Sequence, residues 1–530
     1  MAPTSLLSTA LVALALVQIW RIVQRLFFHP LASVPGPKLA AASTLYEFYW
    51  NAICGGKLFK RLDEMHEKYG MRPLYHKSTS RPIVRLGPNE VHISDPSYWD
   101  VLYNSTNKLD KSAPFYCFDG GTNVTGVTTV KHEVHRKRRG AISKFLSAAN
   151  VSRLEPRTHV HLKKMLDRFA ELGRAGEPCD CFNAFRSLTM DIVSTLCEPN
   201  PRHNLDEPDF AAAMHRTIRT SARTMDIQKF IPIMQIMDLV PLSVWQYLEP
   251  EVAKLMEKRG VLRETAKNVL AEGGQPDSRE PTVLDAIASS DLLPPEDKTA
   301  GRMAYEAEMV LGAGTETTSN TLGNLVFHVL SNPAVHSRLK HELRSCSAAL
   351  PDQLVDFRTL DKLPYLTAVI QETLRIASPV SGRLPRVNPS SPMTYTTPGG
   401  EPKTYTFPPG TIMSMSPRDL HGNAAIFPDP EKFVPERWLP ATDPACAVRD
   451  PERRRAMDRY WVPFSRGSRN CIGLELAKQE LGLVAGNLFR RFGDRVELFE
   501  TTARDVRVDH DWFAPYGPAD SKGVRIKIKC

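Results

Sequence analysis

The sequence predicts a mainly helical protein with small β-sheets, set behind an N-terminal transmembrane helix. Three observations carry that prediction. An apolar run opens the chain, apolar residues recur at helical spacing over about 151–270 and again over about 298–330, and alternating apolar and polar stretches are short and scattered.

The opening run, from Leu6 to Trp20 with a further apolar turn toward Phe28, is near the lower length limit for crossing a bilayer. Its charges, Arg21 and Arg25, follow the run, whereas a cleaved signal peptide carries them ahead of it. Residues 1–28 therefore read as an uncleaved anchor that leaves the body of the chain in the cytosol, where sequons at Asn104, Asn123 and Asn150 never meet the glycosylation machinery. Residues 29–38 form a proline-rich connector.

Ile83 to Ser94 alternates around Gly87-Pro88-Asn89 and predicts a hairpin. The helical stretch 151–270 is broken by joints near Glu198 and at Pro241. Its greasy segment Phe230 to Met237 is assigned to core packing ahead of a membrane dip or a substrate entrance. The helix over 298–330 stops at Ser331-Asn332-Pro333. Strands are expected between Met393 and Met415, an irregular stretch from Asp419 to Phe464, a helix starting near Cys471, and a last strand over Gly523 to Lys529.

A hydrophobic share of 42% and a charged share of 24% are those of an ordinary folded protein. The formal charge of +9 leaves an anionic membrane surface or an acidic partner open, and nucleic acid is excluded as a partner because zinc-ligand spacing, RNA-binding aromatics and a basic region running into heptads are all missing. Nine scattered cysteines outline no disulfide framework and suit a reducing compartment. Gly312-Ala313-Gly314 lacks the third glycine and the preceding strand of a dinucleotide loop.

The most informative segment is Phe464-Ser465-Arg466-Gly467-Ser468-Arg469-Asn470-Cys471-Ile472-Gly473. A lone cysteine here reads as a buried structural thiol beside a basic turn. With its neighbours, the segment resembles the haem-binding loop of the cytochrome P-450 family, in which phenylalanine, glycine, arginine, cysteine and glycine share this spacing. The resemblance implies that Cys471 is the axial thiolate ligand of the haem iron, supported by the amides of Ile472 and Gly473 at a helix start. It also implies that Gly467 permits a tight loop, that Phe464 shields the sulfur, and that Arg469 pairs with a haem propionate.

Three further motifs follow the family order. Ala313-Gly314-Thr315-Glu316-Thr317-Thr318 is similar to the family's acid–alcohol pair, with Thr317 ordering water where oxygen is activated, Glu316 relaying protons, and the glycine allowing the helix to open locally. Glu372 and Arg375, with Arg437 in Pro435-Glu436-Arg437-Trp438, resemble the buried Glu-Arg-Arg network, a structural role. His135 and Arg139, four residues apart, and Arg386 in Leu384-Pro385-Arg386-Val387 are further propionate candidates, while Arg136, Lys137 and Arg138 are expected to face solvent and, with Arg466 and Lys478, an acidic reductase. Phe115, Phe118, Ala313 and Val380 are the substrate-pocket candidates.

The resemblance implies that residues 39–530 form one haem-binding monooxygenase domain, a triangular prism around a buried haem b. It implies insertion of one oxygen atom from O2, with NADPH electrons from a separate cytochrome P-450 reductase, and cytochrome b5 as a further candidate donor. The connector, with Phe27-Phe28-His29-Pro30-Leu31 and Val34-Pro35-Gly36-Pro37, looks like fungal members of secondary metabolism, among them the trichodiene oxygenase group. That implies a lipophilic substrate, such as a terpenoid, met at the endoplasmic reticulum membrane. A haem-thiolate isomerase or dehydratase that needs no reductase, and a haem protein without catalysis, are the alternatives.

Overall fold

Proline and the apolar period set the helices. A computed structural model of the chain describes residues 3–69, 82–117, 121–276, 279–346, 353–399 and 402–529. Its N-terminal helix α1 (Pro3–Val23) runs on as a π-helical turn over Gln24–Phe28. Within it, the 21 residues Ser8–Phe28 are long and apolar enough to cross a membrane.

The hairpin over 83–94 forms as β1 (Ile83–Gly87) and β2 (Glu90–Ile93), antiparallel with Ile83 opposite Ile93. A five-stranded sheet grows from it. In order it holds β1, β2, β5 (Ile412–Ser414), β4 (Arg386–Val387) and β3 (Asp110–Lys111), with β2 and β5 parallel and the other pairs antiparallel. This sheet brings Lys111 directly opposite Arg386. A second hairpin, β6 (His510–Trp512) and β7 (Ala514–Tyr516), turns at Phe513, whose φ is +70°. The expected last strand is β8 (Arg525–Ile528).

The helical body is built on α2 (His132–Ser143), α3 (Ala148–Ala175), α4 (Cys181–Cys197), α5 (Thr224–Gln228), α6 (Ala300–Leu330), α7 (Pro364–Ala377) and α8 (Leu474–Phe492). The 31-residue α6 is capped by Thr299, which accepts from the Arg302 amide, and it ends before Pro333, which opens the next helix where its missing N–H costs nothing. Helices α4, α7 and α8 pack around α6. One large core cluster unites α3, α4, α7, α8 and the C-terminal half of α6. A second gathers around its N-terminal half.

The segment Phe230 to Met237 corrects an expectation. None of its residues is buried, Ile231 and Ile236 are exposed, and Leu239 beyond them is 83% exposed. Its helix, Ile233–Asp238, is too short to turn an apolar stripe onto the core, so the residues lie on the surface. Phe230 meets Phe48 edge-on at 5.1 Å, which joins this patch to the exposed Leu45, Tyr49 and Ile53.

Candidate functional site

The cysteine loop is fixed by two left-handed residues, Ser465 (φ +56°) and Gly467 (φ +75°). They fold the loop so that the Cys471 amide donates to the Phe464 carbonyl at 2.9 Å and the Asn470 amide to the Gly467 carbonyl at 3.2 Å. A Cβ on Gly467 would stand 2.4 Å from the carbonyl oxygen of Asn104. That wall does not yield, because the Asn104 side chain is tied to the Asp100 carbonyl and to the amides of Thr106 and Asn107. Gly467→Ala is therefore expected to lose about 1–3 kcal/mol to backbone strain. Urea denaturation checks this.

Cys471 precedes α8 by three residues. It is exposed by surface area, yet protein atoms surround it closely enough that burial is the main influence on its thiol, which places it on the wall of an interior space. Burial raises the thiol pKa, while the Gly473 amide, hydrogen-bonded to it, and the charge of Arg139 work against that rise. Of the two amides expected at the sulfur, Gly473 is the one whose hydrogen bond acts on it. The opposing groups do not win. The thiol stays above its ordinary range, and a bound metal cation would favour the thiolate.

Beside the cysteine is a cluster of cations. Arg139 donates to the carbonyl and side-chain oxygens of Asn470 at 2.6 and 2.8 Å. Arg469 donates to the carbonyls of Thr129 and Val130 at 2.6 and 2.7 Å, and its buried Nε has no partner. Arg386 donates to the Tyr116 hydroxyl at 3.2 Å. Lys111, which sequence reasoning missed, donates to the Val127 carbonyl at 2.5 Å. Burial and then Arg386, Arg469 and Arg139 lower its pKa far below the ordinary lysine value. Burial, Arg469, Lys111 and Arg139 push buried His135 down to about 2, so its ring is neutral. Asp110 is the carboxylate that offsets Arg469, and it also accepts from the His132 amide. Three arginines, and a lysine whose proton burial and those arginines disfavour, stand against one carboxylate among the described residues, an environment that calls for anions.

The expected order of the basic run needs one correction. Arg136 and Lys137 are exposed, but Arg138 is turned inward, with a side chain only 10% exposed and ion-paired to Asp297 at 2.6 Å. A helix of period 3.6 cannot present three consecutive residues to water from one face.

Midway along α6, Gly312 and Ala313 are exposed although Leu311 and Thr315 on either side are buried, so this stretch also borders open space. The expected local opening of the helix is absent. Ala300–Leu330 is continuous α-helix, and the hydroxyls of Thr315, Thr317, Ser319 and Thr321 each donate to the carbonyl four residues back without breaking it, that of Thr317 to Ala313 at 2.9 Å. Glu316 is ion-paired with Arg186 and accepts from the Tyr516 hydroxyl at 2.9 Å. Neither partner was foreseen. Buried Glu480 of α8 accepts a hydrogen bond from Thr318, and burial pushes its carboxyl up to about 8.

Glu372, fully buried, accepts five hydrogen bonds: two from Arg375, and one each from Arg437 Nε at 3.0 Å, the Val434 amide at 3.0 Å and Trp438 Nε1 at 2.9 Å. Arg375 and Arg437 reach on to the carbonyls of His421 and Pro428 at 2.9 and 2.8 Å. The network thus ties α7 to the irregular stretch ahead of the cysteine loop. Phe464 packs against the large core cluster, Phe115 is buried and Val380 half-buried, while Phe118 lies outside the described residues.

These residues fit a haem. A thiol stands on the wall of an interior space, an arginine nitrogen is left unpaired, and the surplus cations match a group with two carboxylates. Comparison with known proteins agrees. The Cytochrome P450 family model matches residues 44–505. Cytochrome P450 monooxygenase oblB of Cochliobolus heterostrophus is 33% identical over 96% of this chain and 93% of its own. Cytochrome P450 monooxygenase sdnE of Sordaria araneosa is 33% identical over 100% and 99%, and Fusicoccadiene C-8 hydroxylase of Phomopsis amygdali is 32% identical over 96% and 94%. The fold is that of retinoic acid bound cyanobacterial CYP120A1, with a TM-score of 0.65 at 20% identity, covering 93% of this chain and 98% of that one. The mainly helical body with small sheets, the cysteine loop and these relatives together make this chain a member of the cytochrome P450 family, an oxidoreductase of the monooxygenase type.

Proposed function

We propose that the protein hydroxylates, or otherwise oxidises, a lipophilic small molecule, a terpenoid or another intermediate of fungal secondary metabolism. It takes one atom from O2 and electrons from NADPH through a separate cytochrome P-450 reductase, with cytochrome b5 as a further donor. The observation that carries this reading is the pairing of an accessible Cys471 with a surplus of buried cations. The name of one relative, a fusicoccadiene hydroxylase, supports oxidation at a carbon centre. Haem b, when bound, supplies oxygen activation. Cys471 would hold the iron, and Arg139, Arg386, Arg469, Lys111 and His135 would hold the propionates.

The rest falls to α6 and its neighbours. Ala313 borders the space where substrate lies, and the Thr317 hydroxyl, now donating to the Ala313 carbonyl, turns to order water and pass a proton. Glu316 is held between Arg186 and Tyr516, and burial favours a proton on the Glu480 carboxyl. Thr317→Ala is expected to leave NADPH consumption within about threefold of wild type but cut product per NADPH about tenfold, the difference appearing as hydrogen peroxide. Unchanged coupling removes this role.

Residues 1–28 anchor the chain in the endoplasmic reticulum membrane, residues 29–38 connect, and residues 39–530 form the catalytic domain facing the cytosol. The apolar span Ser8–Phe28 and the exposed patch around Leu239 support this placement. Lys137 and Lys478, both exposed, suit an acidic reductase surface. The first experiment is a spectral titration of the ferric protein with apolar terpenes, polyketides and alkaloids. A saturable spin shift with one class names the substrate family.

A further inference from the structure

A small cavity lies beneath residues 225–229. It measures about 20 Å³, enough for one water-sized group. Phe115 and Phe513 wall it, and Asp226, Lys229, Arg383 and Asp511 give it polar surface. Lys229 Nζ is 2.7 Å from Asp226 Oδ1 and 3.5 Å from Glu47, and Arg383 pairs with Glu47 and Glu90, each at 2.7 Å. Three carboxylates thus pair with two cations, and Asp511, which accepts from the Ser381 hydroxyl at 3.1 Å, is a fourth beside them. Asp226 is 4% exposed, and its Oδ2 has no hydrogen-bond partner. Burial, then the charge of Asp226, raises the Asp511 carboxyl to about 6, which agrees with a local excess of negative charge.

Such a cavity repels an anion, and an apolar group placed in it leaves Asp226 unpaired at a cost. A hydrogen-bond donor the size of one oxygen satisfies it. The position is telling too. Phe513 packs into the same core cluster as Val380 and lies edge-on to Tyr116, whose hydroxyl accepts from Arg386, so two side chains, Phe513 and Tyr116, connect the cavity to the cation cluster. On the other side, α5 leads directly into the exposed apolar segment from Ile231 to Leu248.

We propose that this cavity is a polar subsite of the substrate space, which takes a hydroxyl of the substrate as a donor to Asp226 Oδ2. The substrate therefore arrives already carrying a hydroxyl, and an earlier hydroxyl-forming reaction must supply it. The proposal rests on the monooxygenase reading for the substrate space itself. It is tested on the full-length holoenzyme with dodecane, 1-dodecanol and dodecyl methyl ether, three flexible probes, each competing against imidazole bound at the haem iron.

The alcohol is expected to displace imidazole at a concentration at least tenfold lower than either the alkane or the ether, which lacks the donor. Asp226→Asn should narrow that gap to within threefold. An ether or alkane equal to the alcohol overturns the proposal, as does displacement by none of the three or a preference that survives Asp226→Asn. The wild-type comparison decides the matter even if the variant fails to fold. Carbon monoxide spectra of the same samples separate the two levels: a thiolate band without alcohol preference removes the subsite alone, and loss of the band removes the monooxygenase reading beneath it.

Discussion

Cys471→Ser is expected to abolish the thiolate-specific absorption band of the reduced, carbon monoxide-bound protein and to bring monooxygenase turnover to background. A serine hydroxyl fits the loop, since the Cys471 backbone amide still donates to Phe464 and the turn at Gly467 does not involve the sulfur. Folding, followed by circular dichroism, should change little. The ligand chemistry changes completely, because a hydroxyl does not give up its proton at neutral pH as a metal-bound thiol does. Buried Cys179 and Cys181 offer no substitute, as burial raises the first thiol to about 12 and holds the second well above its ordinary range. A variant that kept the band would assign the iron to a different cysteine.

Glu372→Gln is expected to be the most destabilising single change in the network, at about 3–5 kcal/mol, a sizeable part of the stability of a typical domain. The amide keeps the shape but loses the charge, leaving Arg375 and Arg437, both at most 2% exposed, without a counter-ion. Burial alone would raise the Glu372 carboxyl, but the hydrogen bonds and charge of Arg375, followed by Arg437, outweigh it and hold the pKa below the ordinary value. The sign follows. The stabilisation is complete above the unfolded carboxyl's pKa and is lost as pH falls through the lower folded value. Urea midpoints of wild type and variant should therefore converge as the pH is lowered below about 4. A constant gap across that range would show that charge is not what the network contributes.

Much of this was legible in the chain because it is local. The 31-residue helix, its stop at Pro333, the hairpin around Gly87 and the last strand follow from period and punctuation alone. The Glu372 network was legible through motif order, and the structure closes it with the expected partners. What escaped depends on long-range pairing. Lys111 joins the cations because β3 is laid beside β4, some 270 residues away in sequence, and Arg186 and Tyr516 reach Glu316 from α4 and a C-terminal hairpin. Arg138 was misplaced because a run of charges was read as a solvated face. The segment after Phe230 was misplaced because apolar content was read as burial, and helix phase and length decide both cases.

The cation cluster reaches beyond ligand affinity. Lys111, Arg139, Arg386 and Arg469 come from two strands, a helix and a loop that are distant in sequence, and assembling them without anions sets like charges against one another in a poorly solvated interior. The prosthetic group is then a counter-ion for folding as well as a reagent, because whatever binds the native state alone adds its binding free energy to the stability of the chain. Adding a haem precursor during expression is therefore expected to raise the fraction of the chain recovered folded.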